Sequence, residues 1–414
     1  MRVIAPPLYY GWFVLAASAV SEMLVMGTTA YAAGLFVLPL QAEFHISRAN
    51  ASSSILILFV GVILAAPVAG RLLDVWPIRR VMTAGAILLG FSLAGIAATS
   101  SLGVMSAILL IPTAIAFMAL GPLNTSTLAS RWFNRRRGLA LGIAAVATSG
   151  GGFTVVPLLS SAIQHYGWRQ ALLYEGIAMA ALIIVLALLV LRDRPSDLGL
   201  ENHPENQNPN TGTAAPGTAP LKWKAVFASR AFWIPSLTLA AISGTCQATV
   251  VTLVPYGVQM GVAPVKAALL ISAFAIAAAV TKVAAGVLAD HINQRFLLVL
   301  AAAFMTLSWL ILSLSTTYAA LFAASCFAGM GLGCALPTAA GLIAATFGAG
   351  NFGRVMGWTY ALTAALAILA VRFAGFMYDR SGSYHVAFEI FAAILACLLA
   401  MNLLLAPGKP AQEA

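Results

Sequence analysis

The chain has 414 residues, of which 61% are hydrophobic and only 8% charged, with a mean hydropathy of +0.94. A soluble domain carries about 25% charged residues, so this composition excludes a water-soluble globule and places the chain in a bilayer. The formal charge of +10 comes from 22 Lys and Arg against 12 Asp and Glu. These bases sit in short gaps between apolar runs rather than along one face, which excludes nucleic acid as a partner and points to membrane lipids instead.

A helix that crosses a bilayer needs about 20 mainly apolar residues. Cutting at charges, prolines and turn residues yields twelve such segments, taken here as spans 1 to 12: 10–38, 52–73, 79–99, 103–129, 136–164, 169–191, 230–258, 265–289, 295–315, 318–346, 352–378 and 385–406. Lipid offers no partner to an open strand edge, so long apolar runs are helices. Only Arg2 precedes the first run, which outlasts the apolar core of a signal peptide, and it is read as an uncleaved first span.

Between spans 6 and 7 lies a stretch rich in Pro, Asn, Gly and Thr, with no apolar periodicity. It predicts a linker over 192–229, joining a six-helix bundle over 1–191 to another over 230–414. Lys and Arg set orientation. With the N-terminus inside, sixteen bases face the cytoplasm and four face outward, which predicts a multi-pass inner-membrane protein with both termini and the linker cytoplasmic.

The halves repeat. Gly70-Arg71-Leu72-Leu73-Asp74 ends span 2, and Gly286-Val287-Leu288-Ala289-Asp290 ends span 8, 216 residues later. Gly142 in span 5 and Gly357 in span 11 are 215 apart. Two features at one offset argue for a duplicated unit, an arrangement that places a substrate site between the halves near the midplane. The expected fold is all-α and integral to the membrane, with twelve transmembrane helices in two pseudo-repeated bundles. Cys246, Cys326, Cys334 and Cys397 lie in apolar stretches without ligand spacing and are read as packing residues, with neither metal nor cofactor implied.

The twelve spans, the central linker and the repeated G-x-L-x-D resemble the major facilitator superfamily. Tyr10-Gly11-Trp12, Arg131-Trp132-Phe133, Arg136-Arg137-Gly138, Gly167-Trp168-Arg169 and Gly382-Ser383-Tyr384 are similar to its oxalate/formate antiporter and monocarboxylate transporter branch. Glycines at 70 and 286 let helices approach closely, and Asp74 and Asp290 can accept hydrogen bonds from Arg or from the start of a neighbouring helix. The resemblance implies that such contacts latch the cytoplasmic side and break during transport. Gly70, Asp74, Arg79, Arg80, Arg131, Gly286 and Asp290 are the candidate gate. The run Arg135-Arg136-Arg137 is more simply an anchor facing anionic lipid.

Each charge inside a span needs a reason, because burying it costs at least ~2.5–3.5 kcal/mol. Lys282 lies eight residues before Asp290, about 12 Å into span 8 at 1.5 Å per residue, with no acid one turn away. The resemblance implies that a base four residues before Gly286 binds the substrate carboxylate; where monocarboxylate carriers often have Asp one turn earlier, this chain has Ala278. Arg372 in span 11 is a second candidate cation, although the residue matching the family's lysine falls nearer Ala364. Glu22 in span 1 either carries a coupled proton or neutralises Arg372 or Lys282. Glu175 and Glu389 are expected to reach water at the outer surface. Asn124, Tyr31, Gln247 and Tyr360 supply candidate polar contacts for a small acid, with Thr125 and Ser126 beside them. Gly150-Gly151-Gly152 lacks the Lys-Ser/Thr of a phosphate loop and is read as close packing.

The expected function is secondary transport of small organic anions, mono- or dicarboxylates, with a proton or counter-anion as possible co-substrate and a single chain as the working unit. The rival is a proton-coupled exporter of drugs or other small molecules. No catalytic constellation appears: there is no His cluster, acid pair or nucleophile elbow.

Overall fold

The computed structural model describes residues 9–46, 54–200, 203, 223–262, 264–314 and 317–404. The expected cytoplasmic termini and most of the 192–229 linker lie outside the described residues. Among the described residues there are no strands, and twelve helices are long and apolar enough to cross a membrane. The first six are Gly11–Tyr31, Leu56–Val75, Ile78–Ala98, Leu102–Trp132, Arg137–Tyr166 and Trp168–Leu189. The second six are Arg230–Leu253, Leu269–Ala289, Gln294–Leu314, Tyr318–Phe347, Phe352–Ser381 and His385–Leu403.

Spans 1 and 4 depart from simple helices. The α-helix of span 1, Gly11–Met26, widens into a π-turn at Gly27–Tyr31, tightens to a 3-10 segment at Ala32–Phe36, and resumes as Val37–Phe44. Thr29 bonds back to the Val25 carbonyl at 2.6 Å, a local competitor of the regular ladder. Span 4 carries a π-turn at Leu109–Thr113 around Pro112 and breaks at Gly121, whose backbone is extended. A fresh helix, Pro122–Trp132, starts with proline in its first turn, where the missing N–H costs nothing. That restart aims Asn124, Thr125 and Ser126 into the interior, all of them buried.

Span 5 runs unbroken through Pro157. Its Gly151 lies against the Met23 carbonyl and Gly27 of span 1, so the triple glycine does serve close packing.

The two halves meet chiefly through span 2 against span 11 and span 5 against span 8. Gly70 touches the Gly353 carbonyl, and Gly357 touches Ala66 and Pro67. A Cβ on Gly286 would lie 2.6 Å from the Gly138 carbonyl and 2.8 Å from the Gly142 Cα. These approaches gather where spans 2 and 8 end and spans 5 and 11 begin, called the latch face below. Spans 1 and 7 do not pack closely on one another. The halves are thus closed at the latch face.

At the opposite face a clasp ties the first half together. Arg169 donates to Glu43 at 2.5 Å and to the carbonyls of Ala97 and Thr99 at 2.6 and 2.7 Å, while Trp168 Nε1 donates to Glu43 at 2.9 Å.

Candidate functional site

Span 5 after Arg136 and span 11 after Asn351 begin, like most of the described helices, without a side-chain cap of their own. The first N–H groups of a helix have no partner within it, and its positive end favours an anion. Both needs are met from the other half. Asp290 accepts the N–H of Gly138 at 2.5 Å and of Leu139 at 2.9 Å. Asp74 accepts the N–H of Gly353 at 3.0 Å and of Arg354 at 2.8 Å. Gly70 and Gly286, one turn earlier, allow the backbones to come this near.

Asp74 also has cations beside it, Arg131 at 3.7 Å and Arg354 at 3.8 Å. Arg131 donates further to the Leu73 carbonyl at 2.6 Å. Arg79 and Arg80 are exposed, and the Arg79 backbone N–H donates to Asp193 at 3.3 Å. Of the expected gate, Gly70, Asp74, Arg131, Gly286 and Asp290 come together, and Arg79 and Arg80 stand outside. Arg354 was missed as a latch residue, although it belongs to the repeat that was recognised. Arg137 turns inward to the Phe133 carbonyl at 3.1 Å and Asn134 at 2.7 Å, leaving Arg135 and Arg136 exposed for lipid.

Deeper between the halves lies Lys282, only 5% exposed. Its ammonium crosses to span 5 and donates to Thr148 Oγ1 at 2.7 Å and Ser149 Oγ at 2.8 Å. The sequence reading missed both partners. Their only signal was two hydroxyls next to Gly150, and nothing in the spacing tied them to a residue 133 positions later. Among the described residues Lys282 forms no ion pair, yet Glu22 lies within its electrostatic reach.

Glu22 is 1% exposed and Asn124 0%. Span 1 is held against the restarted helix of span 4 here, with Ser21 donating to the Leu120 carbonyl at 3.1 Å and Thr125 to that of Ser18 at 3.2 Å. Tyr360 reaches in from span 11, its hydroxyl beside Ser126 and near Glu22. Tyr31 stands beside Ser149 and is 46% exposed. Gln247, Thr148, Ser149 and Tyr360 are half-buried, so this layer borders open space.

Arg372 is placed elsewhere. It is exposed and lies about 27 Å along its helix from Arg354, whereas Lys282 is about 12 Å from the latch end of its own. Glu175 does not simply face water: Oε1 accepts from Thr28 at 2.6 Å, and Oε2 is buried inside the first half.

A model of the Major Facilitator Superfamily matches residues 18–271 and 256–414. The chain belongs to this superfamily. Monocarboxylate transporter 11 of Mus musculus is 29% identical over 64% of this chain, and monocarboxylate transporter 11 of Homo sapiens is 27% identical over 80% of it. The mouse match spans 59% of that protein's length and the human match 69%. The proton:xylose symporter XylE superposes with a TM-score of 0.75 at 15% identity, covering 97% of each chain. The human organic anion transporter MFSD10 superposes with a TM-score of 0.72 at 16% identity, covering 96% of this chain and all of that one. This superfamily member is therefore a multi-pass membrane protein homologous to proteins named as monocarboxylate transporters, not as enzymes.

Proposed function

We propose that the chain is a secondary carrier of small organic acids, mono- or dicarboxylates, working by alternating access in the cytoplasmic membrane as a single chain. The observation that carries this reading is Lys282, a buried ammonium between the halves with hydroxyls for company and no carboxylate paired to it. An isolated charge at that depth is costly, and an anionic substrate offsets the cost. The monocarboxylate-transporter relatives support the same substrate class. Tyr31, Gln247 and Tyr360 border the layer and are its candidate hydrogen-bonding partners for the rest of the substrate. Arg372, farther toward the opposite face, suits an entry contact that draws anions in.

The excess of bases makes the latch face cytoplasmic. Closure there, with spans 1 and 7 apart, is then the outward-facing state. Substrate arrives from outside, and release requires Asp74 and Asp290 to leave the helix starts they occupy. Energy comes from a gradient or from exchange, with a proton or a counter-anion as the second solute.

The test is counterflow in proteoliposomes with a panel of labelled carboxylates, with and without a pH gradient. Lys282→Gln should abolish uptake while insertion is retained, and Lys282→Arg should keep part of it, since charge survives and geometry changes. Unchanged uptake in Lys282→Gln would remove the organic-acid reading.

A further inference from the structure

Near Lys282, five buried polar atoms lack a hydrogen-bond partner of ordinary length: both carboxyl oxygens of Glu22, both amide atoms of Asn124 on the same turn of span 4 as Thr125, and the Tyr360 hydroxyl; the Thr125 hydroxyl stands beside Glu22 and that of Ser126 beside Tyr360. Native structures rarely leave such atoms unpaired, and a group of them in one place marks a ligand or water. They come from spans 1, 4 and 11. Glu22 is within electrostatic reach of both Tyr360 and Lys282.

The two charges differ in what they lack. The ammonium of Lys282 has three donors, and Thr148 and Ser149 take two, leaving one. The carboxyl of Glu22 closes no hydrogen bond of ordinary length through either oxygen, with the Thr125 hydroxyl its nearest side-chain neighbour of that kind. The layer thus has a positive pole with one vacant donor and an acidic pole with two vacant acceptors, and the poles do not close on each other. Asn124 and Tyr360 can each donate or accept, so they serve either pole.

A plain aliphatic acid can accept from Lys282, Asn124 and Tyr360 but leaves the Glu22 carboxyl under hydrocarbon. A dicarboxylate sets its second negative charge against Glu22. A ligand with a carboxylate at one end and an ammonium at the other answers both poles. We infer that the site takes a zwitterionic amino carboxylate, its carboxylate on Lys282 and its ammonium on Glu22, with Asn124 and Tyr360 able to bond to either end. The inference rests on the reading of Lys282 as the carboxylate contact, and it narrows the substrate class within that reading. The other acid buried away from the latch in the first half, Glu175, does not compete for this role, because Thr28 already occupies one of its oxygens.

The experiment is ligand-induced thermal shift and competition binding on the purified full chain, with four acids of one carbon skeleton: butanoate, 2-aminobutanoate, 4-aminobutanoate and butanedioate. One of the two amino acids should act at a concentration at least about tenfold below butanoate, the effect of one hydrogen bond to a charged group. Butanedioate should be the weakest. In Glu22→Gln the ratio of amino acid to butanoate affinity should fall toward one. Glu22→Asp, which keeps the charge, should retain a preference, so a collapse in Glu22→Gln is not read as misfolding. Equal binding of butanoate and the amino acids by the parent, a ratio that survives Glu22→Gln, or tight butanedioate binding each overturns the zwitterion. In all three cases the carboxylate reading stands if Lys282→Gln loses every ligand. If Lys282→Gln binds the panel like the parent, or the parent binds none of it, both readings fall.

Discussion

Asp290 accepts the backbone N–H of Gly138 at 2.5 Å across the boundary between the two halves. Asp74 does the same for Gly353 at 3.0 Å, so each half ends one span in an acid that caps the start of a helix in the other. Gly138 and Gly353 are 215 residues apart, and Asp74 and Asp290 are 216 apart. The duplication seen in the sequence is therefore a duplicated latch. What it fastens is a helix N-terminus rather than a lone side chain.

Asp74→Asn should loosen one latch and leave the fold intact. The amide keeps the shape but offers one acceptor oxygen where two N–H groups and two guanidinium groups expect a charge. A hydrogen bond to a charged group is worth ~1.5–3 kcal/mol, so a loss of about 2 kcal/mol should shift the closed-to-open ratio roughly thirtyfold. Spin labels on Val75→Cys and Ala349→Cys, in a background without the four native cysteines, read the latch opening as a longer distance. An unchanged distance distribution would reduce Asp74 to a topology signal.

Glycine at the crossing makes a sharper prediction. Gly286→Ala adds a methyl 2.6 Å from the Gly138 carbonyl, with backbone on both sides and no flexible side chain to yield. Overpacking of this kind costs about 1–3 kcal/mol, charged to the closed state alone. Gly375→Ala meets nothing within 4 Å, and in mid-helix it should stabilise by up to about 1 kcal/mol. Melting curves and the same distance measurement should separate the two variants. Equal behaviour would mean that the crossing tolerates a gap.

The twelve spans were legible because a bilayer forces long apolar helices, and the latch because its residues repeat at a fixed offset. The irregular parts of spans 1 and 4 were not. A run such as Gly27-Thr28-Thr29-Ala30-Tyr31 satisfies any apolar window, and only contacts with Val155 and Gly151 distinguish a π-turn there from a plain helix. The restart after Gly121-Pro122 was visible as a dipeptide, but not as the device that buries Asn124. Arg79 and Arg80 were placed in the gate by their position in the motif; the chain instead turns at Trp76-Pro77 and carries them outward, leaving Asp74 to Arg131 and Arg354. Thr148 and Ser149 meet Lys282 only through the packing of span 5 on span 8, and no local pattern carries that information.

The clasp at the opposite face should titrate. Hydrogen bonds from Arg169, working against a small cost of burial, hold the Glu43 carboxyl below the ordinary carboxylate range. A carboxylate with a lowered pKa contributes stability above its unfolded value of 4.5, and that contribution disappears as pH falls through the lower folded value. Glu43 is 38% exposed, so the pair is worth at most about 1 kcal/mol and less in high salt. The melting difference between parent and Glu43→Gln should be small and steady near neutrality and vanish as pH falls through the lowered folded value. Arg169→Ala should cost more than Glu43→Gln at every pH, because it also strips the Ala97 and Thr99 carbonyls of their donor. A Glu43→Gln difference that grows in acid would contradict the assigned direction.

The two acids buried away from the latch in the first half, Glu22 and Glu175, should respond differently to the same change. Glu175 lies within that half, held by Thr28 at 2.6 Å, with the Met179 sulfur 3.1 Å from the same hydroxyl. An amide in its place can still bond to Thr28, and its second polar atom inherits a position that was already unpartnered. Glu175→Gln should therefore change stability by no more than about 0.5 kcal/mol. It should also keep the order of preference among carboxylates, since no contact of Glu175 crosses between the halves. Glu175→Leu should cost no more than about 1 kcal/mol, because the Thr28 hydroxyl keeps the Leu24 carbonyl at 3.1 Å and the unpartnered Oε2 is removed. Glu22 has no internal partner as close as Thr28 is to Glu175, only the Thr125 hydroxyl beside it, and it lies within electrostatic reach of Lys282. The check is a paired measurement of melting temperature and ligand ratio on Glu175→Gln and Glu22→Gln. A shift in selectivity from Glu175→Gln equal to that from Glu22→Gln would mean that the two acids act together, and the acidic pole would then have to be redrawn to include span 6.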